Sequence, residues 1–164
     1  MKRVLITGVS GTGKSSVIEV LAAGGHRAVD ADAPGLSELV GVPMDELTGL
    51  GQGKDWMWQE AHIQELLSTV DAEVLFMSGC SPNQGKFYPQ FDLIVLLTAP
   101  PAVIAQRLAT RTNNTFGKTV DQLERTLQLQ QIVEPILRRR ADLELDTTAP
   151  LVDVAAAILE RAAL

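Results

Sequence analysis

Apolar residues recur along this chain in two rhythms. Short apolar runs stand at residues 4–6, 28–29, 74–77 and 93–97, with an alternating Leu143-Glu144-Leu145 near the end, each bounded by polar, Gly or Pro positions. Runs of that length, rich in Val, Ile and Leu, suit strands covered on both faces of a parallel sheet. Between them, apolar positions follow helical spacing: Val17, Ile18 and Leu21, with Gly24 available as a left-handed stop; Ile63, Leu66, Leu67 and Val70 on a helix from Trp56 to about Thr69 capped by Asp55; Val103, Ile104 and Leu108; and Leu151, Val154, Ala155, Ile158, Leu159 and Ala162. Strands alternating with helices predict an α/β fold of three layers. Residues 33–53, rich in Gly, Pro and Leu, read as a small helical excursion between two strands, within an inserted region of about 33–70. Thr119 to Gln122 forms a capping box for a long helix that Pro135 is expected to break or restart.

The turn after the first strand changes the picture. Gly8-Val9-Ser10-Gly11-Thr12-Gly13-Lys14-Ser15 fits G-x-x-x-x-G-K-[ST], and it stands between a strand and a helix as that motif requires. Backbone amides of such a loop, with the helix N-terminus behind them, present positive partial charge to phosphate oxygens. Lys14 is spaced to reach β- and γ-phosphates and Ser15 to ligate Mg²⁺. Gly8, Ser10, Gly11, Thr12, Gly13, Lys14, Ser15 and Ser16 are therefore the expected nucleotide contacts, with ATP and Mg²⁺ as the cofactors.

Other candidates cluster at strand ends, where open α/β sheets bind ligands. Asp30 and Asp32 close the second strand; one is expected in the Mg²⁺ shell and the other on an acceptor hydroxyl. The third strand carries no acid after its apolar run, which throws that duty onto this pair. Asp32-Ala33-Pro34-Gly35 also spells D-x-x-G, but no N-K-x-D accompanies it to read guanine. Gly79 suits close approach of backbone to a ligand. Asn83, Gln84 and Lys86 follow it on a polar loop, while Met77 and Cys80 read as packing. Arg107 and Arg111 lie one helical turn apart before a polar segment of about 111–120 that reads as a lid bringing Arg111 or Lys118 to the transferring group. Thr148 and Pro150 lie after the last strand, where backbone groups can pack on the nucleotide base. Trp56 and Trp58 read either as core or as the wall of an acceptor pocket, and Arg138 to Arg140 as solvated complements to a helix C-terminus.

Composition then excludes classes. The 164 residues are 46% hydrophobic and 21% charged, enough for a real core in one domain. A net charge of −6 argues against binding a nucleic-acid backbone. No apolar stretch approaches membrane-spanning length, and a single cysteine, Cys80, forms no internal disulfide, so a cytoplasmic setting is expected.

The motifs together resemble the small P-loop kinases, namely nucleoside monophosphate kinases, shikimate kinase and gluconate kinase. The likeness rests on the Gly8–Ser15 loop, the Asp30-Ala31-Asp32 pair, the inserted region, Arg107 and Arg111 before a lid, and Thr147 to Pro150. It implies a five-stranded parallel sheet in the order 2-3-1-4-5, with transfer of the γ-phosphoryl group of ATP to a small hydroxylated acceptor, and Lys14, Asp30, Asp32, Arg107, Arg111 and Lys118 as the catalytic set. The inserted region departs from those families: no arginine occurs between Arg27 and Arg107, and Lys54 and Lys86 are the only cations there. The expected partner is a small-molecule acceptor, with no nucleic acid and no membrane, and the chain acting as monomer or homodimer. An ATP-binding switch or accessory protein, or a slow ATPase, is the rival reading.

Overall fold

The structure, a computed structural model, describes residues 1–163. Its sheet is built from β1 (Lys2–Thr7), β2 (Arg27–Asp30), β5 (Val74–Ser78), β6 (Leu93–Thr98) and β7 (Leu143–Asp146), all parallel, in the order β2-β5-β1-β6-β7. Counting sheet strands alone, this is 2-3-1-4-5, as the resemblance implied. Period-two alternation divides β1 between the two faces. Val4 and Ile6 pack with Val17, Ile18 and Leu21 of α1 (Lys14–Ala23) and Val154 and Ile158 of α5 (Leu151–Ala163). Leu5 packs the other way, with Trp58, Ile63 and Leu67 of α2 (Glu60–Ser68) and Phe87 of a 3₁₀ segment, Gln84–Gln90. A third cluster joins Val9 to Ile104 and Leu108 of α3 (Pro101–Thr110), with Leu123 and Leu127 of α4 (Val120–Arg138) against it. Helices therefore cover both faces of a sheet whose strand ends remain open.

Four local expectations are corrected. Residues 33–58 do not form helix: β3 (Ser37–Gly41) and β4 (Lys54–Trp58) pair antiparallel as a hairpin, with Ser37 opposite Trp58 and Leu39 opposite Trp56. Alternating Trp56, Met57 and Trp58 suits a strand better than a first helical turn, because aromatic side chains pack on a pleated surface. Asp55 is consequently a strand residue, α2 starts at Glu60, and Val70 lies beyond its end, exposed. The left-handed residue after α1 is Gly25 (φ 84°), with Gly24 at φ −75°. Pro135 does not interrupt α4, which runs through it as one helix of 19 residues. The capping box forms by half: Thr119 Oγ1 accepts from Gln122 N at 3.2 Å, whereas Gln122 Oε1 accepts from Gly117 N at 2.8 Å. Arg138 is held by Glu134 and by Glu144 of β7, a tie between α4 and the sheet edge. Among the described residues no helix is long and apolar enough to cross a membrane.

Candidate active site

The glycine loop leaves the end of β1 and closes on itself before α1. Gly8 has φ 154°, and a Cβ there would stand 2.5 Å from the carbonyl oxygen of Leu97 on the neighbouring strand. Only glycine lets the turn lie that close to the sheet. Thr12 is fully buried with its hydroxyl on the carbonyl of Val9 at 2.8 Å, so its side chain shapes the loop from within. Gly11 and Gly13 hold left-handed φ values of 84° and 99°. Lys14 Nζ donates to the carbonyl oxygens of Gly8 at 2.6 Å and Val9 at 3.2 Å, which lays the ammonium across the loop. Ser10 is half-buried, while Ser15 and Ser16 open to solvent on the first turn of α1.

The two aspartates at the end of β2 face different neighbours. Asp30 Oδ2 accepts from Ser15 Oγ at 3.4 Å, and Oδ1 accepts from Ser78 Oγ at the same distance. Asp32 accepts from the Trp58 indole Nε1 at 3.0 Å and from the Cys80 amide at 3.1 and 3.2 Å. Part of Asp32 faces solvent, yet the surrounding protein withdraws enough water to raise its carboxyl above the usual 3.8; Lys14 and the Trp58 hydrogen bond oppose that rise, and Asp30 adds to it. The carboxylates are thus divided between the loop hydroxyl and the indole of the hairpin.

Gly79 makes this second arrangement possible. It follows β5 with φ 154°, and a Cβ there would meet both Asp32 Oδ1 and Trp58 Cζ2 at 2.8 Å. The polar loop behind it is structural. Ser81 Oγ accepts from the Trp58 amide at 3.1 Å, Asn83 Nδ2 donates to the Trp58 carbonyl at 2.9 Å, and Gln84 joins Thr7 to Tyr88. Asn83 and Gln84 therefore hold the hairpin to the sheet, and Lys86 is paired with Glu60 at 2.5 Å. The Cys80 thiol lies against Thr7 and Gly8, and burial pushes it above its ordinary range, which suits packing and not nucleophilic chemistry.

On the other side of the loop, Arg107 reaches in from α3. Its guanidinium donates to Thr147 Oγ1 at 2.8 Å, to the Thr147 carbonyl at 2.6 Å and to the Gly11 carbonyl at 3.3 Å. Thr147 Oγ1 in turn donates to the Thr12 carbonyl at 2.7 Å. Arg107, the glycine loop and the segment after β7 are one hydrogen-bonded unit. Thr148 donates to Asp146 through both its amide and its hydroxyl, and Pro150 leads into α5, its carbonyl accepting from Asp153 and Val154. Arg111 turns back on the 111–120 segment, donating to the Phe116 carbonyl at 2.6 Å; its Nε is buried without a partner, and desolvation lowers its pKa. Lys118 donates to the Ala109 carbonyl at 3.2 Å, where it complements the end of α3 and stands apart from the loop cluster.

Sequence reasoning missed Thr147 as the joint between loop and sheet, and it missed the Trp58–Asp32 contact. The need of a buried indole N–H for a partner was the available signal for the second. Among the described residues no group of three or more His, Cys, Asp or Glu gathers in metal-binding fashion. A hydroxyl and one carboxylate, hard oxygen donors at hydrogen-bond range, instead fit an ion that keeps most of its ligands as water and phosphate, as Mg²⁺ does.

A strand-loop-helix phosphate cradle at the open end of a parallel sheet defines a P-loop nucleotide-binding protein. The chain belongs to the AAA domain family, whose model matches residues 4–128. No curated protein matches the sequence. Among solved structures, the fold is similar to that of a shikimate kinase from Acinetobacter baumannii in complex with shikimate, with TM-score 0.64, 21% identity, and coverage of 98% of this chain and 92% of that one. It is similar also to a gluconokinase from Sinorhizobium meliloti 1021, with TM-score 0.61, 23% identity and coverage of 99% and 91%. A shikimate kinase from Bacteroides thetaiotaomicron gives 0.61 at 13% identity, with 99% of both chains covered. The fold is that of the small P-loop kinases.

Proposed function

We infer that this protein transfers the γ-phosphoryl group of ATP to a hydroxyl of a small metabolite. One observation carries the reading: Asp32 is fixed between the hairpin's Trp58 and the Cys80 amide while remaining electrostatically coupled to Lys14. A carboxylate so placed belongs to an acceptor site beside a phosphate site, which a simple ATPase or nucleotide switch does not need. The matching folds of shikimate kinase and gluconokinase support the same reaction class.

The residues divide the work as follows. Loop amides and Lys14 hold the β- and γ-phosphates. Ser15 and Asp30 would hold Mg²⁺, which would neutralise charge on those phosphates. Asp32 accepts the proton of the acceptor hydroxyl as its oxygen bonds to the γ-phosphorus and the bond to the β-phosphate oxygen breaks. Arg107 keeps the loop in register with Thr147. Arg111, with its unpaired Nε, is the cation available to the transferring group when the 111–120 segment closes.

The test is ADP release from ATP and Mg²⁺ with and without sugars, polyols, nucleosides and hydroxy acids, with mass detection of the product. Stimulation with a phosphorylated product is expected, and Lys14→Ala should lower it on the order of 10³-fold with the fold intact. ATP turnover that no hydroxyl compound stimulates would sink the kinase reading in favour of an ATPase or switch.

A further inference from the structure

The hairpin supplies a wall that runs from Asp32 out over the cleft. Side chains two apart on a strand share a face, so Trp58, Trp56 and Lys54 project together from β4, with Leu39 opposite Trp56 on β3. The wall is anchored at one end, where Trp58 is 2% exposed and bonded to Asp32. At its other end the β3–β4 connection rests on the far side of the cleft: Gly49 packs on Phe116 of the 111–120 segment, and Gly51 on the guanidinium of Arg125 in α4. The hairpin thus bridges the nucleotide cleft. Midway, Trp56 and Leu39 stay about half exposed, at 50% and 47%.

The net charge of the hairpin disfavours one class of ligand. Residues 33–58 carry four acids against one lysine, Lys54: Glu38 and Asp55 lie on the hairpin face opposite Trp56, and Asp45 and Glu46 on the β3–β4 connection. Lys86 is neutralised by Glu60, Arg125 by Asp121 and Arg138 by two glutamates. A phosphate or a polycarboxylate laid along the hairpin would enter a net field of its own sign, with Lys54 the one cation the hairpin itself supplies. An indole face, by contrast, packs on a ring or on the C–H face of a sugar with no charge required of the ligand.

We propose that the acceptor is an uncharged hydroxylated ring compound, of nucleoside or glycoside type, whose ring stacks on Trp56 and Leu39 while one hydroxyl reaches Asp32. Trp56 precedes Trp58 by about 7 Å along the strand at ~3.3 Å per residue, the span of one ring plus its hydroxyl. Lys54 then stands at the outer rim as a donor to the remaining hydroxyls. This inference rests on the kinase reading and specifies its acceptor.

The experiment compares phosphoryl transfer from ATP to cytidine, adenosine, methyl glucoside and inositol with transfer to shikimate, gluconate and CMP. At least one uncharged compound should be preferred over all three anions. For that compound, Trp56→Ala should raise KM roughly tenfold, the scale of one lost stacking contact, with kcat and the KM for ATP little changed; Trp56→Phe should recover most of the loss. Preference for an anionic acceptor overturns the proposal and leaves the kinase reading standing. An unchanged KM in Trp56→Ala overturns it equally. If no compound of either group is phosphorylated, both readings fall. Because Trp56 is half exposed and outside the packed clusters, its replacement leaves the fold in place, which circular dichroism checks.

Discussion

The indole Nε1 of Trp58 donates to Asp32 Oδ1 at 3.0 Å, tying the hairpin to the carboxylate at the end of β2. The ring is otherwise buried, tilted against Phe87 with centroids 6.2 Å apart. One residue therefore serves the core through its rings and the site through its nitrogen. Trp58→Phe separates the two roles, because phenylalanine keeps most of the packing and loses the donor. The Trp58 hydrogen bond holds the Asp32 pKa down against burial, so its loss should move the acidic limb of the kcat/KM profile to higher pH. The expected cost in stability is about 1.5–3 kcal/mol, that of a hydrogen bond to a charged group. A profile that stays in place would show that the indole is packing only.

Asp32→Asn should trade activity for stability. The folded pKa of Asp32 is raised above 3.8, mainly by desolvation. The fold therefore disfavours the ionised form, and Asp32 costs stability progressively as pH climbs from below 3.8 through its elevated pKa. The asparagine variant carries no such penalty. Its stability relative to the parent should rise across that window, level off above it, and show no pH-dependent gain in acid. Turnover should fall roughly 10²–10⁴-fold, the range for losing a positioned proton acceptor, and the remaining rate should lose its acidic limb. Urea titrations across pH 3 to 8 with parallel kinetics check both halves.

How much of this was legible without coordinates differs from element to element. The phosphate loop and the five sheet strands could be read because each is local, a fixed motif or a short stretch rich in Val, Ile and Leu, whereas the strand order came only with the resemblance to the small P-loop kinases. The hairpin could not. Lys54–Trp58 is pinned at Trp58 by partners well along the chain, Ser81 and Asn83, and Ser37–Gly41 is held by Lys54–Trp58. In isolation, Asp55 before two tryptophans and an apolar stripe resembles a capped helix. Pro135 misled for a related reason. Leu137 is buried and Arg138 is bonded to β7 just beyond it, so tertiary contacts carry α4 through the proline. At the site, the pairing of Asp30 with Ser15 and Asp32 with Trp58 depends on where Gly79 lets three chain segments meet, and no single stretch of sequence records that.

Gly79→Ala tests that meeting point. The backbone has φ 154°, and the added methyl carbon would stand 2.8 Å from both Asp32 Oδ1 and Trp58 Cζ2. Neither neighbour can yield easily, since Trp58 is packed in the core and Asp32 is bonded to the Cys80 amide. The expected loss of stability is roughly 1–3 kcal/mol from the backbone alone. KM for the acceptor should rise more than KM for ATP, because the displaced groups are on the acceptor side. A variant with parental acceptor kinetics would mean that Asp32 and Trp58 are not part of that site.

The contact between Arg107 and Thr147 gives the last expectation. Arg107 grips both Oγ1 and the carbonyl of Thr147 while touching Gly11, and the same Oγ1 donates to Thr12 within the phosphate loop. Arg107→Lys keeps the charge but cannot span two acceptors in a plane, so charge and geometry come apart. If the role is positioning, the lysine variant should weaken ATP binding nearly as much as Arg107→Ala, by about tenfold. Thr147→Val should produce part of the same loss, and the double variant Arg107→Ala/Thr147→Val should fall short of the sum by about 0.5–1 kcal/mol, the low end of the coupling expected of residues in one network. Calorimetric titration with the Mg²⁺ complex of a non-hydrolysable ATP analogue measures all four proteins. Full recovery in Arg107→Lys would instead assign the arginine to the phosphates through its charge, and strict additivity would separate it from Thr147.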